Sequence, residues 1–361
     1  RGLTMFGIRM DTPGIEVRPL AQMNGDKHFS EVFVTDTRAP LDALIGDIGI
    51  GWNVAMTVLA HERALAGESR GGGDGAARNE RVPRWIQELR PTGVAATEGA
   101  VYVADPGAQA LWIVDLQGGR FRRIDRAGKQ RLVSPVAVAL GAEGRLLVAD
   151  SSLARIFVFA GDGTPAGSIA SPELRRPAGV AYDATRDRLY VSDSGAHRVW
   201  RFAGDGRLEG AIGRRGAGPG EFNFPTNLAV DKGGRLFVAD TLNFRVQIFS
   251  ASGEFLKTFG ILGDEPGRLN RPKGVGVDSE GHIYVVDSSF NNFQIFDEDG
   301  QLLLFVGTGG QHSGEFFLPA GLYIDEQDRI YIADQGNSRV QVFQYVSASA
   351  ERPDRGEGAG R

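Results

Sequence analysis

Cysteine is absent from this chain, which excludes disulfides, thiolate nucleophiles, iron–sulfur clusters and cysteine-ligated zinc. Histidine is scarce at five residues, and only His197, His282 and His312 lie beyond residue 84. A catalytic metal needs several convergent ligands, so this scarcity argues against a histidine-rich metal centre. No apolar run approaches the ~20 residues of a membrane-spanning helix. Positive charge is not in excess. The 40 Lys and Arg against 45 Asp and Glu give a net charge of −5, and no basic stripe offers itself to nucleic acid. Neither a phosphate-binding glycine loop nor a serine–histidine–aspartate signature occurs. The chain begins at Arg1 rather than methionine, and a native amino terminus is expected upstream.

Glycine, by contrast, is abundant at 51 residues, which suits a fold with many tight turns. The turns recur with a period. A unit that opens on proline and passes through a strand ending in aspartate occurs six times. Its prolines are Pro91, Pro135, Pro177, Pro225, Pro272 and Pro319. Its aspartates are Asp105, Asp150, Asp193, Asp240, Asp287 and Asp334, spaced 45, 43, 47, 47 and 47 residues apart. Within a unit, apolar residues alternate with a period of two, as in half-buried strands. In the fourth unit, 228–230, 235–240, 244–249 and 254–259 read as four strands separated by turns. Four antiparallel strands in ~45 residues make one propeller blade. The predicted fold is therefore all-β, a six-bladed propeller of four-stranded blades over 84–346.

The sixth unit holds only three strands. An unpaired blade edge is a liability, and residues 84–90, Arg84-Trp85-Ile86-Gln87-Glu88-Leu89-Arg90, are predicted to supply the missing outer strand. Residues 67–83 read as a linker and 347–361 as a disordered tail.

The six aspartates all fall at one end of their blades. A carboxylate ring there is a weak candidate cation site; the competing expectation is that each carboxylate caps the following turn. Arg155, Arg198, Arg245 and Arg339 follow their aspartates by five residues, which predicts Asp–Arg pairing. Phe159, Phe202, Phe249, Phe296 and Phe343 keep a fixed place in the unit and read as blade core. Sameness serves the scaffold, so a partner or ligand face is sought where units differ. His197, Phe244, Phe290 and Asn337, in the turns after the aspartates, are the candidates.

The segment Tyr331-Ile332-Ala333-Asp334, with Asn337-Ser338-Arg339-Val340-Gln341-Val342-Phe343, resembles the NHL-repeat family. That resemblance implies a six-bladed propeller that binds a protein, a peptide or a small ligand, with no cofactor. Some NHL-type propellers are metal-dependent lyases, which makes a central-metal hydrolase or lyase an alternative.

The first 66 residues contain no such unit. Residues 3–10 and 30–34 read as strands, and 51–63 as a helix with Trp52, Ala55, Met56 and Leu59 on one face. Asp11-Thr12-Pro13-Gly14-Ile15-Glu16-Val17-Arg18-Pro19, Phe29-Ser30-Glu31-Val32-Phe33 and Gly51-Trp52…His61-Glu62-Arg63 resemble the acyl-CoA dehydrogenase family. They match the later half of its middle β-domain and the first helix of its carboxy-terminal bundle. The resemblance implies FAD as cofactor, only within a complete dehydrogenase, and Glu62 as the base that removes the thioester α-proton. An isolated stretch this short buries too little surface to stand alone. It is expected to be a remnant joined to a non-catalytic propeller; a flavin-dependent oxidoreductase is the other reading.

Overall fold

A computed structural model describes residues 89–344, together with four short strands nearer the amino terminus. Those four form two antiparallel pairs: Met5–Phe6 with Leu44–Ile45, and Ile15–Leu20 with Phe29–Val34. The second pair contains the strand expected at 30–34, and of the one expected at 3–10 only Met5–Phe6 is described. The helix expected at 51–63, its Glu62, the linker and the tail lie outside the described residues. The amino-terminal strands and the repeats belong to separate compact units.

The repeats build a six-bladed propeller. Blade 4 shows the pattern: Pro225–Val230 is innermost, followed outward by Leu236–Asp240, Arg245–Phe249 and Phe255–Phe259, all antiparallel. Blades 1, 2, 3 and 5 repeat this order, starting at Gly93, Pro135, Pro177 and Pro272. Blade 6 has three described strands: Pro319–Ile324, Arg329–Asp334 and Arg339–Gln344. Of the segment expected to close it, 84–88 lies outside the described residues, while Leu89 packs beside Trp112, Tyr331 and Val340 where blades 6 and 1 meet.

The core is divided. Among the described residues six hydrophobic clusters occur, one at each interface between neighbouring blades. Each second strand is nearly all apolar, as Leu236-Phe237-Val238-Ala239 shows, because its two faces meet different neighbours. Phe159, Phe202, Phe249 and Phe296 are fully buried as predicted, each a burial worth about 1.5–3 kcal/mol, while Phe343 is half-buried.

Near the axis the inner strands of blades 1 and 2 run so close that Gly93 has no room for a side chain. A Cβ on Gly93 would lie 2.6 Å from Ala137 Cα and 2.8 Å from Val136 O of the next blade. At the rim, Gly307 has φ +101 and opens the loop into blade 6. A side chain there would meet the ring of Phe316, which plugs the loop and is fully buried.

Candidate functional site

Proline at the start of each inner strand pairs with aspartate at the end of the second, as in Pro225↔Asp240 and Pro272↔Asp287. Prolines, aspartates and the loops between blades therefore share one face of the disc. The six aspartates are fully buried on it. In blades 2, 3 and 5 the carboxylate is a turn cap with two amides from the preceding loop. Asp193 accepts from Arg175 N and Arg176 N at 2.7 and 2.9 Å, and from Gly195 N and Ala196 N at 3.0 and 2.9 Å. Asp150 and Asp287 do the same. Asp105 accepts from Ala108 N at 2.9 Å. These bonds follow the capping expectation, and among the described residues no group of three His, Asp or Glu is placed to hold a metal.

Blades 4 and 6 are wired differently, and His197 and Asn291 are the cause. His197 Nδ1 accepts the Phe224 N–H at 3.2 Å, and Asn291 Oδ1 accepts the Leu318 N–H at 2.8 Å. The amide that would have been the second donor to Asp240 or Asp334 is thus taken by the preceding blade. Phe224 and Leu318 are drawn into the left-handed region at φ 54 and 51, which bulky side chains seldom adopt. The vacated lone pairs accept from side chains instead. Asp240 receives Asn223 N at 2.7 Å, Asn243 Nδ2 at 2.8 Å, Arg245 Nε at 2.9 Å and Gln247 Nε2 at 3.1 Å. Asp334 receives the matching set from Phe317, Asn337, Arg339 and Gln341. Burial pushes the Asp240 carboxyl up, and its donors pull against that.

The predicted Asp–Arg pairing therefore holds for Arg245 and Arg339 only. Arg155 donates to Ser168 Oγ at 3.4 Å, and Arg198 lies over the Trp200 ring at 5.1 Å, because backbone amides already fill Asp150, and backbone amides with Trp200 Nε1 at 3.2 Å fill Asp193.

The four residues singled out for the partner face share this face of the disc but do not reach its centre. His197 is buried, and Asn337 Nδ2 donates to Asp334 Oδ2 and Gly310 O. Phe244 and Phe290 are half-buried in their turns. Burial, with Arg215 nearby, lowers the His197 pKa and keeps Nδ1 an acceptor near neutral pH. His197→Ala should cost about 1–3 kcal/mol in denaturant unfolding, since the Phe224 amide loses its acceptor.

At the centre of this face lies a cavity of about 350 Å³. Arg176, Arg271 and Lys273 reach it from blades 3 and 5, and Phe224 and Leu242 from blade 4; among the described residues no carboxylate lines it. No ion pair joins any of the three cations to a described acid. Lys273 is half-buried, and burial together with Arg271 and Arg176 depresses its pKa. No motif singles these residues out: Leu242 is one variable position in the turn after Asp240, and the other four stand next to the repeat prolines. The signal lay beside the prolines. The preceding residues are Arg90, Ser134, Arg176, Phe224, Arg271 and Leu318, and the following ones Thr92, Val136, Ala178, Thr226, Lys273 and Ala320.

Further along the axis a cavity of about 240 Å³ is walled by aliphatic residues, with Tyr182 and Tyr323. Burial pushes both phenols up to about 12, with Asp187 adding to the effect on Tyr182. Away from the aspartate face, in the turn after the inner strand of blade 5, His282 Nδ1 meets Asp278 Oδ2 at 2.9 Å, while Tyr284 OH donates to the same oxygen at 3.0 Å. Asp278, with Glu280 and Asp297, raises the His282 pKa. The stabilising contribution is therefore complete below the unfolded value of 6.5 and is lost as pH rises through the folded value. The destabilisation caused by His282→Gln should accordingly be largest at acid pH and shrink above neutrality, read as the urea midpoint across pH 5–9.

Comparison with known proteins agrees with both parts. A family model described as a 6-bladed beta-propeller matches residues 181–258 and 277–351. Acyl-CoA dehydrogenase FadE34 of Mycobacterium tuberculosis is 37% identical over 141 residues, covering 34% of this chain and 20% of its own length. Acyl-CoA dehydrogenase IpdE1 of Mycolicibacterium smegmatis is 42% identical over 65 residues, covering 18% of this chain and 17% of its own length. The chain thus spans about a fifth of the length of these relatives. Among solved structures, virginiamycin B lyase from Staphylococcus aureus aligns with a TM-score of 0.53 and 13% identity, over 72% of this chain and 85% of that one. An auxiliary nutrient binding protein from Bacteroides thetaiotaomicron aligns at 0.55 and 11%, over 70% and 68%. At such identity these two share the fold and nothing finer.

Proposed function

We propose that in this chain, a six-bladed β-propeller joined to an acyl-CoA dehydrogenase-like stretch, the propeller is a non-catalytic binding scaffold whose ligand is a small anion seated at the centre of the aspartate face. The observation that carries this is the meeting of Arg176, Arg271 and half-buried Lys273 around one cavity that no described carboxylate lines. Like charges gathered around one cavity are unfavourable, and a bound anion relieves them. A cavity of about 350 Å³ suits a small molecule rather than a polypeptide segment.

Calorimetric titration of the full chain with citrate at low salt tests the proposal. Citrate should bind, the affinity should fall about tenfold or more in Arg271→Ala and in Lys273→Met, and added salt should weaken it. Absence of binding, or binding indifferent to both substitutions, would refute it.

The acyl-CoA dehydrogenase relatives support a second reading, an oxidoreductase using FAD through the amino-terminal stretch. Visible absorbance of the purified chain separates the two. A colourless protein that binds citrate favours the propeller as the functional part, and a stoichiometric flavin favours the dehydrogenase.

A further inference from the structure

The central cavity is not uniformly cationic. Arg176 on one side and Arg271 with Lys273 on the other flank blade 4, which contributes Phe224 and Leu242. These two are 37% and 43% exposed, so their apolar surface faces solvent beside the charges. Phe224 reaches this place by a different backbone route from Arg176 and Arg271. At the matching position of blade 5, Arg271 gives its N–H to Asp287. At Phe224 the N–H turns to His197 Nδ1, the residue takes φ 54, and its ring meets the His197 ring edge-on at 4.6 Å. Bulky residues held in a sparsely populated backbone region cluster at ligand clamps, because the surrounding structure must hold them there.

From this juxtaposition we infer that the ligand is an amphiphilic organic anion: a negatively charged head between Arg271, Lys273 and Arg176, and an apolar body laid on Phe224 and Leu242. His197 is a positioning residue for the apolar half. The inference rests on the central cavity being an anion site and adds what kind of anion it takes. Charge complementarity selects the head. The exposed aromatic and aliphatic side chains gain only if the ligand brings apolar surface to cover them. An inorganic anion would leave them wet, and a neutral lipid would leave the cations unpaired.

The test is calorimetric titration of the full chain with octanoate, inorganic phosphate and 1-octanol. Octanoate should bind tightest. Phe224→Ala and Leu242→Ala should each weaken octanoate by about tenfold, the factor for losing burial of one large apolar side chain, and leave phosphate unchanged. Lys273→Met should weaken octanoate and phosphate alike and leave any octanol binding untouched. His197→Ala should weaken octanoate selectively, and His197→Asn should restore it, since Asn291 performs the same task for Leu318. Thermal melting of each variant confirms that it is folded. Octanoate binding no tighter than phosphate would overturn the inference and leave the anion site standing. Octanol binding as tightly as octanoate would overturn it from the other side. No binding of octanoate, phosphate or citrate would remove both readings together.

Discussion

Asp240→Ala should destabilise the propeller by about 3–5 kcal/mol, the range for removing one partner of a buried ion pair. The carboxylate is fully buried and collects Asn223 N–H, Asn243, Arg245 and Gln247. Arg245 also donates to Gly218 O and Glu221 O at 2.8 Å, so it stays in place with its charge uncompensated. Asn243 and Gln247 hold the same loop through Gly216 O and Glu221 O at 2.9 and 2.7 Å. The loop into blade 4 should therefore loosen along with the blade. Guanidinium unfolding measures the loss. Asp205→Ala is the control: its described bond is the exposed one to Arg207 N at 2.9 Å, and it should cost far less. If Asp240→Ala cost under 1 kcal/mol, the aspartate would not be the scaffold element described.

Gly93→Val should cost about 3 kcal/mol, the upper end of overpacking penalties. The atoms that a side chain would strike at 2.6 and 2.8 Å are Ala137 Cα and Val136 O, backbone of the neighbouring inner strand. Backbone locked in a sheet gives way less readily than a side-chain tip, so the two inner strands must part. Blade 2 carries Ala137 at the matching place in its unit, and Ala137→Gly should change stability by less than about 1 kcal/mol. Thermal unfolding compares the pair.

The fold was legible because its signal is repeated. One strand with alternating residues is ambiguous, but six prolines and six aspartates in register are not, and Pro225–Val230 and Arg245–Phe249 fall within a few residues of where the pattern put them. The aspartates' turn-capping was legible for a similar reason: a carboxylate before a tight turn has nearby amides to satisfy. What could not be read was the exchange of amides between blades. Whether Arg245 meets Asp240 depends on His197, 48 residues earlier and in another blade, and no local pattern announces that. The site was obscured by geometry too. Phe244 and Phe290 stand in turns that vary conspicuously but do not themselves line the central cavity, although Leu242 beside Phe244 does. The residues that meet at the centre, Arg176, Phe224, Arg271 and Lys273, are single positions beside an invariant proline. Only closure of the ring gathers them.

The most direct test of the central claim is amine acylation read by mass spectrometry, with and without saturating citrate. Lys273 lies at the cavity, while Lys129, Lys232 and Lys257 lie elsewhere on the propeller and serve as internal references. Burial, with Arg271 and Arg176 nearby, lowers the Lys273 pKa, the direction that favours the neutral amine. The expected result is that citrate protects Lys273 severalfold and leaves the other three unchanged. Equal labelling of Lys273 in the presence and absence of citrate would contradict the account, and protection confined to the other lysines would place the ligand away from the central cavity.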